Sequence, residues 1–345
     1  MNSQRIADIV AKHGLEKFRS KQIADAFFKK HVRSWSEVAG LSAAVKEKLN
    51  AEEPVLRLTE HKLLESSDKR TYKALLKLGD GRIVESVLME PLPGHWTACI
   101  SCQVGCAMAC TFCATGRMGL LRNMDSEEIS DQVLYWRQFI AARKMDVQLS
   151  NIVYMGMGEP FHNRRHVFDS IDELTNAEGF GIGSRHISVS TSGLVKGIEE
   201  LADRHPQVNL AISLHAANDE LRDRLMPVAN KAHNLDDLAE SMQVYLKKTN
   251  RKIFVEYILL DGDNDSQLHA EQLATWLNKI HAKHLLHVNL IVYNQTESAH
   301  RESSRERARA FLAALEHRGV SATIRKNLGR DIDGACGQLA VMDQK

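Results

Sequence analysis

The sequence predicts an α/β fold preceded by a small helical module and a β-hairpin. Three observations carry this expectation. From about residue 96 onward, short apolar runs alternate with amphipathic stretches at helical spacing. The first fifty residues show helical spacing alone, and Gly79-Asp80-Gly81 separates two strand-like runs. Alternation of this kind argues for a parallel sheet with crossover helices, open or closed into a barrel. In such folds the chemistry gathers at the carboxyl ends of the strands.

Taken in order, Ile6, Ile9 and Val10 share one helix face, as do Ile23, Ala24, Phe27 and Phe28. Ser42 opens a further helix in "GLSAAVKEKL". This module ends near Glu53-Pro54, giving a first unit over residues 1–54. The run "TYKALLKLGDGRIVESVLME" supplies the hairpin, and Pro91-Leu92-Pro93-Gly94 breaks its pattern, so a second unit covers 55–94. The third unit, 95–345, holds strands expected at Asn151–Met155, His186–Ser190, Val208–Ser213, Ile253–Leu259, His287–Val292 and Ala322–Arg325. Helices are expected at Ser126–Ala142, Arg164–Asn176, Leu194–Arg204, Asn234–Thr249, Ser266–Ala282 and Arg301–Arg318. Ser126-Glu127-Glu128 offers the first of these a cap and acids in its first turn.

With 345 residues the chain can bury a large core, and 43% hydrophobic with 26% charged residues is ordinary for a globular protein. The net charge of +1 gives no global signal for nucleic acid. Residues 1–50, however, carry ten Lys/Arg against five Asp/Glu, which fits either a polyanion partner or a solvated helix surface. "MNSQRIADIVAKHG" lacks the apolar run of a signal peptide, and no stretch approaches the roughly 20 apolar residues of a membrane span. A cytoplasmic protein is expected. There thiols stay reduced, so clustered cysteines point to metal or redox chemistry.

Five of the six cysteines lie in "CISCQVGCAMACTFC", residues 99–113. Cys106, Cys110 and Cys113 form C-x3-C-x2-C, three thiolates able to hold three irons of a four-iron cluster and leave the fourth open. Cys99 or Cys102 could instead complete a four-thiolate set, giving either a fully ligated electron-transfer cluster or the zinc site of a non-enzymatic RNA-binding protein. Cys336 stands alone in "GACGQL"; by itself it reads as a buried cysteine near a strand end.

The cysteine motif with Phe112 before its last thiol resembles the radical S-adenosylmethionine (SAM) superfamily. "CISCQVGCAMACTFCATGRMGLLRN", "YMGMGEP", "ISVSTSG", "LAISLHAANDELRDRLMP" and "DIDGACGQL" together resemble the RlmN/Cfr family of RNA adenosine methyltransferases. "FRSKQIADAFFKK" and "SEVAGLSAAVKEKL" are similar to that family's helical accessory region, so the likeness spans nearly the whole chain.

The resemblance implies a partial (β/α)6 barrel with a helical accessory domain. It implies a [4Fe-4S] cluster on Cys106, Cys110 and Cys113, and two SAM molecules per turnover. SAM contacts fall on Gly158 and Glu159 in "GMGEP", on Ser190, on Ser213-Leu214-His215 and on Asn294. Cys336 is implied as the S-methylated carrier, Cys99 as the thiol that resolves a protein–RNA crosslink by forming a disulfide, and Glu85 as the proton acceptor. On sequence alone Glu85 reads as an exposed strand carboxylate, because "VES" carries little information. Cys102 and Gln295 depart from the family pattern, in which Ser and Pro are usual. Radical chemistry is needed because an adenine ring carbon is electron-poor and the SAM methyl is itself an electrophile; the cofactor carries that chemistry. The implied substrate is an adenosine of large-subunit rRNA and, in some members, of tRNA. The implied partner is a reductant such as flavodoxin, and the protein is expected to be a monomer with no membrane attachment. Methylation at C2 is favoured by "GMGEP" and "CQVGC", while C8 methylation remains the alternative.

Overall fold

The computed structural model describes residues 1–340. Helices Ser3–Lys12, Arg19–Ala24 (continued as a wider turn over Asp25–Lys29) and Ala43–Glu52 form the N-terminal module. Ile6, Ile9, Ile23, Phe27 and Trp35 are buried in it, each large side chain contributing roughly 1.5–3 kcal/mol of burial. Ser42 does cap the third helix, accepting from the Val45 N–H at 3.4 Å.

Ten strands form one sheet: β1 (Leu58–Glu65), β2 (Thr71–Leu78), β3 (Ile83–Leu92), β4 (His95–Cys99), β7 (Leu149–Tyr154), β8 (Ile187–Thr191), β9 (Asn209–Ser213), β10 (Ile253–Leu259), β11 (Leu286–Val292) and β12 (Ala322–Ile324), in that spatial order. A separate antiparallel pair, β5 (Gln103–Gly105) and β6 (Leu120–Asn123), lies between β4 and β7 in the chain. Strands β1 to β4 pair antiparallel; from β4 to β12 every pairing is parallel. Each parallel step is bridged by a helix: Ser126–Ala142, Arg164–Thr175, Val195–Arg204, Leu235–Thr249, Gln267–Leu277 and Arg305–His317. This is an α/β architecture of six β/α units with an antiparallel extension.

The parallel strands read as near-continuous apolar runs because helices and the strand ends cover them. In β10, "IFVEYIL", only Glu256 breaks the run. The hairpin expected at 71–90 is present, but it continues the main sheet and is joined by β1, which the sequence did not announce. β3 runs through Pro91 and Leu92, so the Pro/Gly cluster turns the chain only at Pro93-Gly94. The helix at 126 is capped by Asp125 rather than Ser126: Asp125 accepts from the Glu128 N–H, and Glu128 returns the bond in a capping box. Two expected helices are shorter, Gln267–Leu277 and Arg305–His317; Ser304 caps the latter. No helix among the described residues is long and apolar enough to cross a membrane.

Candidate active site

The carboxyl ends of the parallel strands converge on a cavity of about 170 Å³. The segment after β4 is fixed there by the "GMGEP" turn after β7. Gly156 N–H donates to Ile100 O at 3.1 Å, and Cys102 N–H donates to Met157 O at 2.9 Å. A Cβ on Gly156 would lie 2.6 Å from Ile100 O, and one on Gly158 (φ +107°) 2.7 Å from the Gln103 Cβ. The glycines are therefore demanded by the approach of two backbone segments, where the sequence suggested approach to a ligand.

The loop Cys106–Cys113 sits on this platform. Cys106 N–H bonds Gly119 O, Thr111 N–H bonds Leu225 O, and Ala114 N–H bonds Gly337 O, at 2.9, 3.0 and 2.9 Å. Phe112 anchors it in a satellite cluster with Ala216, Leu221, Leu225 and Met226. Cys106, Cys110 and Cys113 all line the cavity, and so does Cys336 from the far end of the chain.

Burial pushes the Cys106 thiol up to about 12, and burial with the neighbouring Cys113 and Cys106 pushes Cys110 well above its ordinary value. Thiols held neutral in this way become ligands only beside a strong cation, which deprotonates them. Among the described residues no three His, Cys, Asp or Glu side chains converge on one point as ligands of a single ion would. A cluster asks for less: its thiolates bind different irons. Ser192 Oγ and Asn294 Oδ1 are buried with no partner among the described residues, at a cost of about 1–3 kcal/mol each. Free thiols at the cavity wall and orphaned oxygens beside it fit an iron–sulfur cluster and a polar ligand such as SAM.

Gly158, Glu159, Ser190, Ser213 and His215 also line the cavity. Glu159 is buried and already accepts from Thr191 Oγ1 (2.7 Å), Ser192 N–H (2.7 Å) and Phe161 N–H (3.0 Å), so it braces two strand-end turns as well as facing the ligand space. Ser190 and Ser213 share a hydrogen bond at 3.3 Å. His215 has a left-handed backbone (φ 61°), and its Nδ1 accepts from Ile258 N–H at 3.1 Å. Burial and the Arg222 charge lower its pKa to about 3, so the ring is neutral and carries its proton on Nε2. Leu214 packs into the core and Asn294 donates to Cys336 O at 3.1 Å; neither lines the cavity.

Cys336 is exposed to the cavity, yet surrounding protein raises its pKa through desolvation. Cys99, at the end of β4, is buried behind it; burial, then the nearby Cys336, raises its pKa. All six cysteines are free thiols, so the Cys99–Cys336 disulfide implied for turnover is not formed here. Cys102 is buried beneath the loop and does not line the cavity. Glu85 is not an exposed strand carboxylate: it is 2% exposed, and desolvation raises its pKa to about 7 against the pull of Lys73 at 3.4 Å.

Sequence reading missed three groups. Arg325, at the end of β12, lines the cavity and pairs with buried Glu256 at 3.2 Å; Asn289 holds the other Glu256 oxygen at 2.8 Å. Arg325 interacts electrostatically with both Cys336 and Cys99. Arg222, 1% exposed, donates to Ser192 O at 2.6 Å and feels the Cys110 thiol. Lys73 is buried beside Glu85. A charge inside an apolar strand was the available signal for Glu256 and Lys73.

A parallel α/β sheet whose strand ends present three loop thiols to a shared cavity defines a radical SAM domain, and the sequence model of the Radical SAM superfamily matches residues 100–273. The chain is 39% identical over 337 residues to a probable dual-specificity RNA methyltransferase RlmN of Listeria welshimeri, covering 97% of this chain and 90% of that one. It is 40% identical over 343 residues to the corresponding protein of Staphylococcus carnosus, covering 99% and 92%. The crystal structure of a radical SAM methyltransferase from Sphaerobacter thermophilus superimposes with a TM-score of 0.91 at 39% identity, over 98% of this chain and 97% of that one. The chain belongs to the RlmN family of radical SAM methyltransferases.

Proposed function

We propose that this protein methylates carbon 2 of an adenosine in large-subunit rRNA, with a tRNA adenosine as a second target, using Cys336 as the methyl carrier. One observation carries the reading: Cys336 lines the same cavity as Cys106, Cys110 and Cys113, although it lies at the other end of the sequence. The names of the relatives, RNA methyltransferases of dual specificity, supply the substrate class.

Cys106, Cys110 and Cys113 would hold the cluster. When bound, it supplies one electron to SAM and so hydrogen-atom abstraction at the Cys336 S-methyl group. Ser190, Ser213, His215 and Glu159 border the space where SAM would sit. Cys336 carries the one-carbon unit to the base, which must arrive unstacked to reach so deep a site. Glu85 takes the ring proton, its raised pKa suiting a base at neutral pH. Cys99, as thiolate, then attacks the Cys336 sulfur; an S–S bond forms as the C–S bond to the product breaks, and the released carbon keeps that electron pair and takes up a proton to become the methyl group. An external thiol reductant returns both cysteines, and a flavodoxin-like donor supplies the electrons to the cluster.

The test is mass spectrometry of the protein purified from cells, with mapping of methyladenosine in RNA from the same cells. An S-methyl group on Cys336 and C2-methyladenosine lost in Cys336→Ala are expected. An unmodified Cys336 with RNA methylation intact in Cys336→Ala would remove the reading, and a methyl at C8 would reassign the regiochemistry.

A further inference from the structure

Lys73 lies near the start of β2 and is 5% exposed. Its ammonium donates to Asp333 O at 3.1 Å and stands 3.4 Å from Glu85 Oε1. The second Glu85 oxygen has no hydrogen-bond partner among the described residues. The same edge of the sheet grips the segment before Cys336 twice more. Ser67 N–H donates to Asp331 Oδ2 at 2.8 Å, and Gly329 (φ +68°) packs so closely that a Cβ would lie 2.6 Å from Thr71 Cγ2. One buried cation thus touches both the carboxylate assigned as base and the loop that bears the methyl carrier.

We propose that Lys73 is a positioning residue whose charge favours the Glu85 carboxylate against burial while its ammonium helps seat the Cys336 loop. The proposal rests on the roles given above to Glu85 and Cys336. Burying an ammonium costs several kcal/mol unless its partners repay it, and here the partners are two pieces of the reaction apparatus. The charged groups facing Glu85 are Lys73 from β2 and the Asp333 carboxylate from the C-terminal loop; the second opposes the first. From the segment after β4, Ser101 Oγ donates to Glu85 O, and from the turn after β7, Met157 Sδ accepts the Glu85 N–H. Neither titrates. Only Lys73 therefore favours the carboxylate form by charge. In the proton step, the ring proton passes to a Glu85 oxygen and the C–H electron pair returns to the ring. The Lys73 charge offsets the carboxylate before transfer and is left beside a neutral acid after it.

The experiment uses full-length, cluster-reconstituted protein with SAM, reductant and substrate RNA, following the covalent protein–RNA adduct and methyl-RNA formation from pH 6 to 9 in single turnover. In Lys73→Met the acid limb should move up by about one unit or more and the adduct should accumulate, with S-methylation of Cys336 retained. Lys73→Arg should restore the profile. Lys73→Gln keeps a donor for the Asp333 carbonyl but removes the charge, and should shift like the methionine variant even if that one folds poorly. A wild-type profile in Lys73→Gln, or loss of Cys336 methylation in both neutral variants, would overturn the proposal. Glu85→Gln separates the two levels. If it traps adduct while the Lys73 variants do not, only Lys73 loses its role; if it traps none, the reading of Glu85 falls.

Discussion

At Glu85 two opposed forces meet: burial favours the neutral acid, and Lys73 favours the anion. Burial wins, and the native pKa rises from 4.5 to about 7. A carboxyl whose folded pKa is raised contributes its full stability below the unfolded value and loses it as pH rises through the folded value. For this shift the loss is about 3 kcal/mol between pH 4.5 and pH 7. Two outcomes follow with opposite signs. Methyl transfer to RNA should climb with pH through about 7, as the base ionises. The Glu85→Gln variant should be at least as stable as the parent at pH 8, by urea denaturation, while its methyl transfer collapses. Equal sensitivity of both proteins to pH between 5 and 8 would show that Glu85 does not titrate there. The sequence disclosed the cysteine loop because three thiols at that spacing have few other uses. Lys73 and Glu256 show in it only as charges inside apolar strands, and Arg325 not at all, because their importance lies in tertiary pairing: Lys73 with Glu85 across the hairpin, Arg325 with Glu256 from strands far apart in the chain.

At the level of elements, the parallel strands and their helices were legible because the apolar period switches cleanly between the two kinds. β1 was not, since "LTEHKLLE" is mostly exposed and carries no clean alternation. β5 and β6 escaped for another reason: three- and four-residue strands leave no periodicity to read. Yet this small pair flanks the cysteine loop, and Gly105 makes it possible. Gly105 adopts φ +76°, and a Cβ there would run into the Gly119 carbonyl oxygen. Gly105→Ala should therefore displace β6 and the Cys106 N–H bond to Gly119 O. The expected result is a clear drop in iron and sulfide per chain after anaerobic reconstitution, with the far-ultraviolet circular dichroism little changed. Asp125→Ala removes half a capping box from the helix behind β4 and should cost about 1 kcal/mol without changing iron content.

For the molecule as a whole, the question is how a near-neutral protein holds an RNA against so deep a site. The N-terminal module is clamped to the barrel through the helix Ser126–Ala142. Arg5 pairs with Glu127 at 2.8 Å, Gln138 donates to Val32 O at 2.7 Å, and Arg137 donates to Phe28 O at 3.5 Å. The turn after Asp25–Lys29 therefore presents its cations from a fixed frame, and Lys29, Lys30 and Arg33 are all exposed. Lys29 is partly spent on Asp25, four residues earlier at 2.5 Å, which leaves Lys30 and Arg33 as the freer charges. Each cation withdrawn from a phosphate should lower the slope of log affinity against log salt by roughly 0.7–0.9. Replacing Lys30 and Arg33 by Gln should thus weaken RNA binding several-fold at low salt and flatten the slope, while SAM cleavage without RNA stays at the parent rate. Binding isotherms across a salt series decide it. An unchanged slope would move the RNA-binding surface off this module and onto the loops that ring the cavity.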